Sequence, residues 1–200
     1  MRLLVIIALL VGATRIAQAH DVHGEVMLLD IGQHSLTVDV HVPVLQLSAV
    51  RGVEVPRDPV AMVRTDQTAL RAFGEKYLGA TARDGRAFST RVTNVDVARD
   101  QGDLVVVFHA QLAAPDGATA RWAELHDNML LHVLTNANIY VFVRTDLPNG
   151  QLGAPTLLDM MHYQQRTLVV DRTGGSWARG LDTVLGRLFA ALAAALRVVG

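Results

Sequence analysis

Residues 34–42, HSLTVDVHV, alternate between apolar and polar without a break. Leu36, Val38, Val40 and Val42 fall on one side, and Ser35, Thr37, Asp39 and His41 on the other. Residues 104–112 repeat the pattern, with Leu104, Val106, Phe108, Ala110 and Leu112 on the apolar side and His109 and Gln111 opposite. Period-two alternation predicts strands that rest one face on a core and turn the other to water. Residues 24–31 and 86–97 carry a weaker form of it. Residues 139–143, IYVFV, are apolar at odd and even positions and rich in β-branched and aromatic side chains, which predicts a strand covered on both faces. Asp146-Leu147-Pro148-Asn149-Gly150 stops that run, because Pro lacks an amide donor and Asn-Gly readily takes positive φ. Residues 129–134 read as its hairpin partner across Thr135-Asn136-Ala137-Asn138, and residues 167–171 as a further short strand.

One helix interrupts the strands. Thr65 or Asp66 can cap it, Leu70, Phe73 and Tyr77 form an i, i+3, i+7 stripe, and Gly79 can end it. Gly74 inside it costs about 1 kcal/mol relative to Ala, so the helix depends on packing that stripe. A second helical pattern closes the sequence over residues 177–199, with Leu181, Val184, Leu185, Leu188, Leu192 and Leu196 on one side. Its unbroken apolar part lies between Arg187 and Arg197, well short of the ~20 residues a membrane span needs. The expected fold is therefore mainly β: an antiparallel β-sandwich, Ig-like, with one inserted helix and a C-terminal amphipathic helix.

The first residues belong to another pattern. Met1-Arg2, an apolar run over residues 3–11, and the small residues Ala17 and Ala19 spell a secretory signal peptide with cleavage after Ala19. An uncleaved membrane anchor is the alternative. The expected domains are a signal peptide (1–19), a β-sandwich domain (20–173), and a joint with the C-terminal helix (174–200). The expected location is the periplasm or the extracytoplasmic side of a membrane, and the C-terminal helix is the part that can meet a membrane or a membrane protein.

Composition narrows the chemistry. The formal charge of the chain is −1, with sixteen basic against nineteen acidic side chains once Arg2 and Arg15 leave with the leader. No basic stripe stands out, so nucleic acid is not an expected partner. The sequence has no cysteine, which excludes disulfides, thiolate metal sites and a thiol nucleophile.

Eight histidines are many for 200 residues. Cleavage after Ala19 would expose the α-amine of His20 beside its own imidazole. The two can chelate one metal, with His23 close enough to join, and such nitrogen ligands suit copper or nickel. The bland reading is a polar residue on an N-terminal tail. Asp39 and His41 share a strand face about 6.6 Å apart, as two ligands or as the solvated side of an edge strand. His126 and His132 are six residues apart, ~20 Å along a strand, too far to share a metal. Met160-Met161-His162 offers soft ligands, or core filling. No nucleophile elbow or comparable activating context appears, so an enzyme is not expected.

Several runs resemble the soluble N-terminal region of HupE/UreJ-like membrane proteins. They are the leader ending at Ala19-His20, the 34–42 strand, VRTD-x3-G from Val143 to Gly150, Pro155-Thr156-Leu157-Leu158, Gln165-Arg166-Thr167-Leu168, and Asp171-Arg172 before a Gly-Gly-Ser-Trp joint. The resemblance covers residues 20–180. It implies a β-rich extracytoplasmic domain that precedes membrane helices in proteins associated with nickel or cobalt uptake. A Gly-x-Asp-His run in those helices is associated with metal. Its nearest counterpart here is Gly180-Leu181-Asp182-Thr183, with Thr in place of His. No longer apolar run follows, so the expectation is a truncated, frameshifted or stand-alone member that cannot transport. Functionally this means a non-enzymatic exported binding or accessory domain. The alternative is a small periplasmic copper- or nickel-binding protein acting through His20 and His23.

Overall fold

The computed structural model describes residues 24–100, 102–146 and 155–173. The leader, His20 and His23, and the predicted helix at 177–199 lie outside the described residues. Within them the chain is mainly β. Its elements are β1 (Glu25–Ile31), β2 (Ser35–Pro43), α1 (Val44–Arg51), α2 (Pro59–Tyr77), β3 (Leu78–Thr81), β4 (Ser89–Asp100), β5 (Asp103–Ala113), β6 (Trp122–Asp127), β7 (Asn138–Asp146), β8 (Thr156–His162) and β9 (Thr167–Asp171).

The strands form two open sheets, one in the order β4-β5-β2-β1-β7-β8 and one in the order β3-β6-β9. β2 behaves as its pattern predicts, and β5 does so from Phe108 to Leu112, whereas Val105 and Val107 are buried although they lie on its other face. β2 pairs antiparallel with β5, setting Val38 opposite Ala110 and Val40 opposite Phe108, all buried. Leu104 departs from the expectation: it lies at the start of β5 and is 37 % exposed. One continuous core contains Met27, Leu29 and Ile31 of β1, Leu125 of β6, Leu168 and Val170 of β9, and Leu70 of α2.

Among the described residues two helices are present where one inserted helix is expected. α1 follows β2 directly and ends at Gly52, whose φ of 65° is left-handed. No side chain caps its start, so nothing local announced it. The cap of α2 lies seven residues before the expected Thr65. Asp58 caps it instead, its carboxylate accepting from the Ala61 amide at 3.0 Å, with Pro59 in the first turn. It ends at Tyr77, and Gly79 already belongs to β3. Leu70 is fully buried, and Phe73 and Tyr77 pack partly buried against the core, as the stripe predicts. α2 also covers the free edge of β4: Glu75 accepts from the Val92 amide at 2.9 Å and Gln67 donates to the Val95 carbonyl at 3.3 Å. No helix among the described residues is long and apolar enough to cross a membrane.

Two readings of the later chain are corrected. Residues 129–134 form no strand. Tight turns carry them, with the Leu134 amide donating to the Leu130 carbonyl at 2.9 Å, and Met129, Leu130 and Leu131 are fully buried. A short apolar run buried in turns has the same composition as a strand. β7 instead pairs in parallel with β1 and antiparallel with β8. Nor is β7 covered on both faces among the described residues. Ile139, Val141 and Val143 are buried, whereas Tyr140 and Phe142 point the other way and are partly exposed.

The close approach of α2 to the sheet rests on Gly74. A β-carbon there would lie 2.9 Å from Val92 and 3.0 Å from Phe108, both in the core. Gly74→Ala should therefore lose about 1–3 kcal/mol to overpacking, outweighing its gain in helix propensity. Urea denaturation of the two proteins measures this, and a stabilised variant would show that the helix can shift.

Candidate functional site

The face of the larger sheet turned away from the core divides into two halves. Over β1, β7 and β8 it carries Val26, Leu28, Tyr140, Phe142, Leu157 and Met160. Over β2, β5 and β4 it carries Asp39, His41, His109, Asn94 and Asp96. Arg144 and Asp30 stand between them at one end.

Two bulges frame the polar half. Pairing between β1 and β7 slips between Leu29 and Asp30, so Arg144 is the extra residue of β7. A second slip, between Val92 and Asn94, makes Thr93 the extra residue of β4. Bulges re-aim side chains that regular pleating would place elsewhere. Arg144 donates to Asp39 at 2.7 Å through Nη1 and to Asp30 at 3.1 and 3.2 Å through Nε, and its Nη2 also bonds Asp30. Thr145 donates to Asp30 as well. The other oxygen of Asp39 meets His109 Nδ1 at 2.7 Å, and His109 Nε2 lies 3.4 Å from Asp96. Asn94 Nδ2 donates to Asp96 at 2.6 Å.

One connected line, Asp30–Arg144–Asp39–His109–Asp96, thus crosses five adjacent strands. Burial pushes the Asp30 carboxyl up, but hydrogen bonds from Arg144 and Thr145 and the guanidinium charge outweigh it and hold Asp30 below its usual value. Hydrogen bonding to Asp30 contributes most to raising Arg144 above its usual value. The two ring nitrogens of His109 thus face two carboxylates, Nδ1 that of Asp39 and Nε2 that of Asp96.

Sequence reasoning singled out Asp39 and His41 together. The structure puts both on this face but separates their partners, because His41 Nδ1 lies 2.9 Å from Asp100. His126 is half-buried on β6, and burial lowers its pKa against the opposing charge of Glu124. His132 stacks on Tyr77 at 4.2 Å with Nδ1 2.6 Å from the Asn128 carbonyl, far from any shared role with His126. Met161 is core, while Met160 points outward, so the Met-Met-His run does not converge. Asp30, Asp96 and Arg144 went unnoticed as site residues, although Arg144 lies within the VRTD run. Among the described residues no three His, Asp or Glu side chains converge to hold a metal ion.

A second acidic pair lies in the core. Glu25 and Asp127 are fully buried and face each other, and three of their four carboxyl oxygens have no other partner. The fourth, Asp127 Oδ1, accepts from the Met129 amide at 2.7 Å. Two carboxylates can only accept, so the contact becomes a hydrogen bond when one of them holds a proton. Burial first, then the neighbouring Asp127 charge, raises Glu25 well above its usual value; burial raises Asp127 too.

No family model matches the chain, and no curated protein matches it. The likeness to HupE/UreJ-like proteins rests on the short runs quoted above.

Replacing Arg144 with Ala leaves Asp30 and Asp39 facing each other half-buried, and should cost about 1–3 kcal/mol in urea unfolding. Arg144→Lys should not restore this, since the single ammonium nitrogen cannot occupy the three positions from which Nε, Nη1 and Nη2 meet the two carboxylates. The Glu25 carboxyl titrates higher folded than unfolded, so its contribution is complete below its unfolded value near 4.5 and is lost as pH rises towards its folded value. Raising pH from 5 to 8 should therefore lower the stability of the native chain relative to Glu25→Gln, which carries no such proton. His126 acts oppositely, gaining stability through its unfolded value of 6.5, and is common to both proteins. A constant difference between the two unfolding midpoints across this range would show that Glu25 shares no proton.

Proposed function

We propose that the chain is a non-enzymatic, exported accessory domain of the HupE/UreJ-like type, and that the polar half of its outer sheet face receives a divalent transition-metal ion. The two sheets around one core suit the sandwich architecture expected of such a domain. The observation that carries the reading is the setting of His109. One ring nitrogen is held by a carboxylate that Arg144 in turn holds, and the other lies 3.4 Å from Asp96 Oδ2. A metal about 2.1 Å from each atom would subtend an ordinary angle of roughly 108° at that separation. An orienting carboxylate behind a ligating imidazole is the usual outer support of a metal-binding histidine. Imidazole with carboxylate suits nickel, copper or zinc, and water would complete the coordination. Two protein ligands bind loosely and release readily, which fits a domain that collects ions for another component and does not store them.

Calorimetric titration of Ni(II) into a chain carrying His20→Ala and His23→Ala isolates this face from the N-terminal residues. His109→Ala or Asp96→Asn in that background should abolish the binding, and Asp39→Asn should weaken it about tenfold or more. Binding unchanged by His109→Ala would refute the reading. Binding confined to chains that keep His20 and His23 would favour the copper- or nickel-binding N-terminus instead.

A further inference from the structure

Large apolar side chains left in solvent are concentrated in one part of the chain. Of the nine exposed among the described residues, five (Leu45, Val53, Val55, Val60 and Leu104) belong to α1, the loop after it, the first turn of α2 and the start of β5. A single exposed apolar residue is ordinary, whereas a group of them marks a contact site. Three of the five converge: Leu45, Val55 and Leu104, with Pro43 and Pro56, line a cleft of about 500 Å³, within the range of small-molecule sites. Leu45 is 68 % exposed and Val55 51 %, so the cleft opens to solvent.

Its walls are held without any occupant. Arg51 at the end of α1 donates to Asp66 of α2 at 3.2 Å, and Asp58 caps the start of α2. Pro43 pairs with Val105, the neighbour of Leu104, across β2 and β5. Pro43 and Pro56 have fixed φ and no amide donor, so they offer apolar surface with no N–H left unmet. A preformed cleft loses little freedom when it is filled. The polar lining is Gln46, Arg57 and Asp103. Gln46 and Asp103 each hold an interaction of their own, whereas nothing among the described residues pairs with Arg57. Glu54 and Asp58, the acidic residues nearest Arg57 in the chain, lie outside the lining.

We propose that this cleft binds a free single-chain carboxylate, with its hydrocarbon along Leu45, Val55 and Leu104 and its head group on Arg57. The guanidinium fork matches a carboxylate in charge and in shape. The negative Asp103 on the same lining favours a singly charged head over a phosphate monoester, which carries nearly two charges at neutral pH. This inference does not depend on metal binding at His109, since the two sites share no residue.

Calorimetric titration of decanoate into the full chain tests this, with decanol for the hydrocarbon alone and decyl phosphate for the other head group. Decanoate should saturate one site, and the other two should bind about tenfold or more weakly. Arg57→Gln should bring decanoate down to the level of decanol and leave decanol unchanged. Leu45→Asp, or Val55→Asp as a second position, should abolish binding of both, whereas Val169→Asp on β9 should change neither. All three of these side chains are more than half exposed, and circular dichroism checks that each variant is folded. Absence of saturable binding would overturn the proposal, as would decanoate affinity unchanged by Arg57→Gln. Decyl phosphate bound more tightly than decanoate would refute the carboxylate. Binding seen only where decanoate forms micelles assigns the cleft to an aggregate surface, and is equally fatal.

Discussion

The parallel pairing of β1 with β7 is the constraint on which the rest depends. β1 is short, yet it joins its own hairpin partner β2 to a strand more than a hundred residues later in the chain. Its inward side chains, Met27, Leu29 and Ile31, are fully buried in the common core, and its outward ones form the middle of the open face. Parallel partners need a long connection, and here that connection holds β2, α1, α2 and β3 to β6. The smaller sheet and α2 are thereby returned to the inner face of the larger one, and the outer face is left with no element of the connection upon it.

The same pairing creates the Arg144 line. A register slip of one residue between β1 and β7 frees Arg144 from the ladder and turns it over the carboxylates of Asp30 and Asp39. One guanidinium with donors to two carboxylates holds three strands at fixed spacing. Asp39 can then orient His109 without swinging towards solvent. Each member is held by the next, so the line has a single arrangement, although its side chains are only partly buried and its ion pairs are individually weak in water.

The Glu25–Asp127 pair does the opposite kind of work. It sits at the start of β1 and the end of β6, one strand from each sheet, and among the described residues no cation acts on either carboxyl. A shared proton makes it a hydrogen bond between the layers. Without that proton it is two like charges in a poorly polarisable medium. The fold therefore holds together through outward charges that are paired and inward charges that are partly neutralised.

Elements whose signal is local can be read along the chain. The strands around 34–42 and 104–112 and the stripe of Leu70, Phe73 and Tyr77 follow from periodicity, because side-chain direction in a strand or helix repeats along the chain itself. Asp39 and His109 were legible as outward residues for the same reason. What those residues meet depends on strands distant in the chain. Arg144 comes to Asp39 from 105 residues away and His109 from 70, through a bulge that no pattern of apolar positions encodes. The run at 139–143 could not tell a doubly covered strand from one whose second face stands open, since burial depends on partners. Residues 129–134 could not tell a strand from buried turns, since both demand the same side chains. The buried carboxyls were invisible for the converse reason: Glu25 and Asp127 look like surface residues until the fold brings them together.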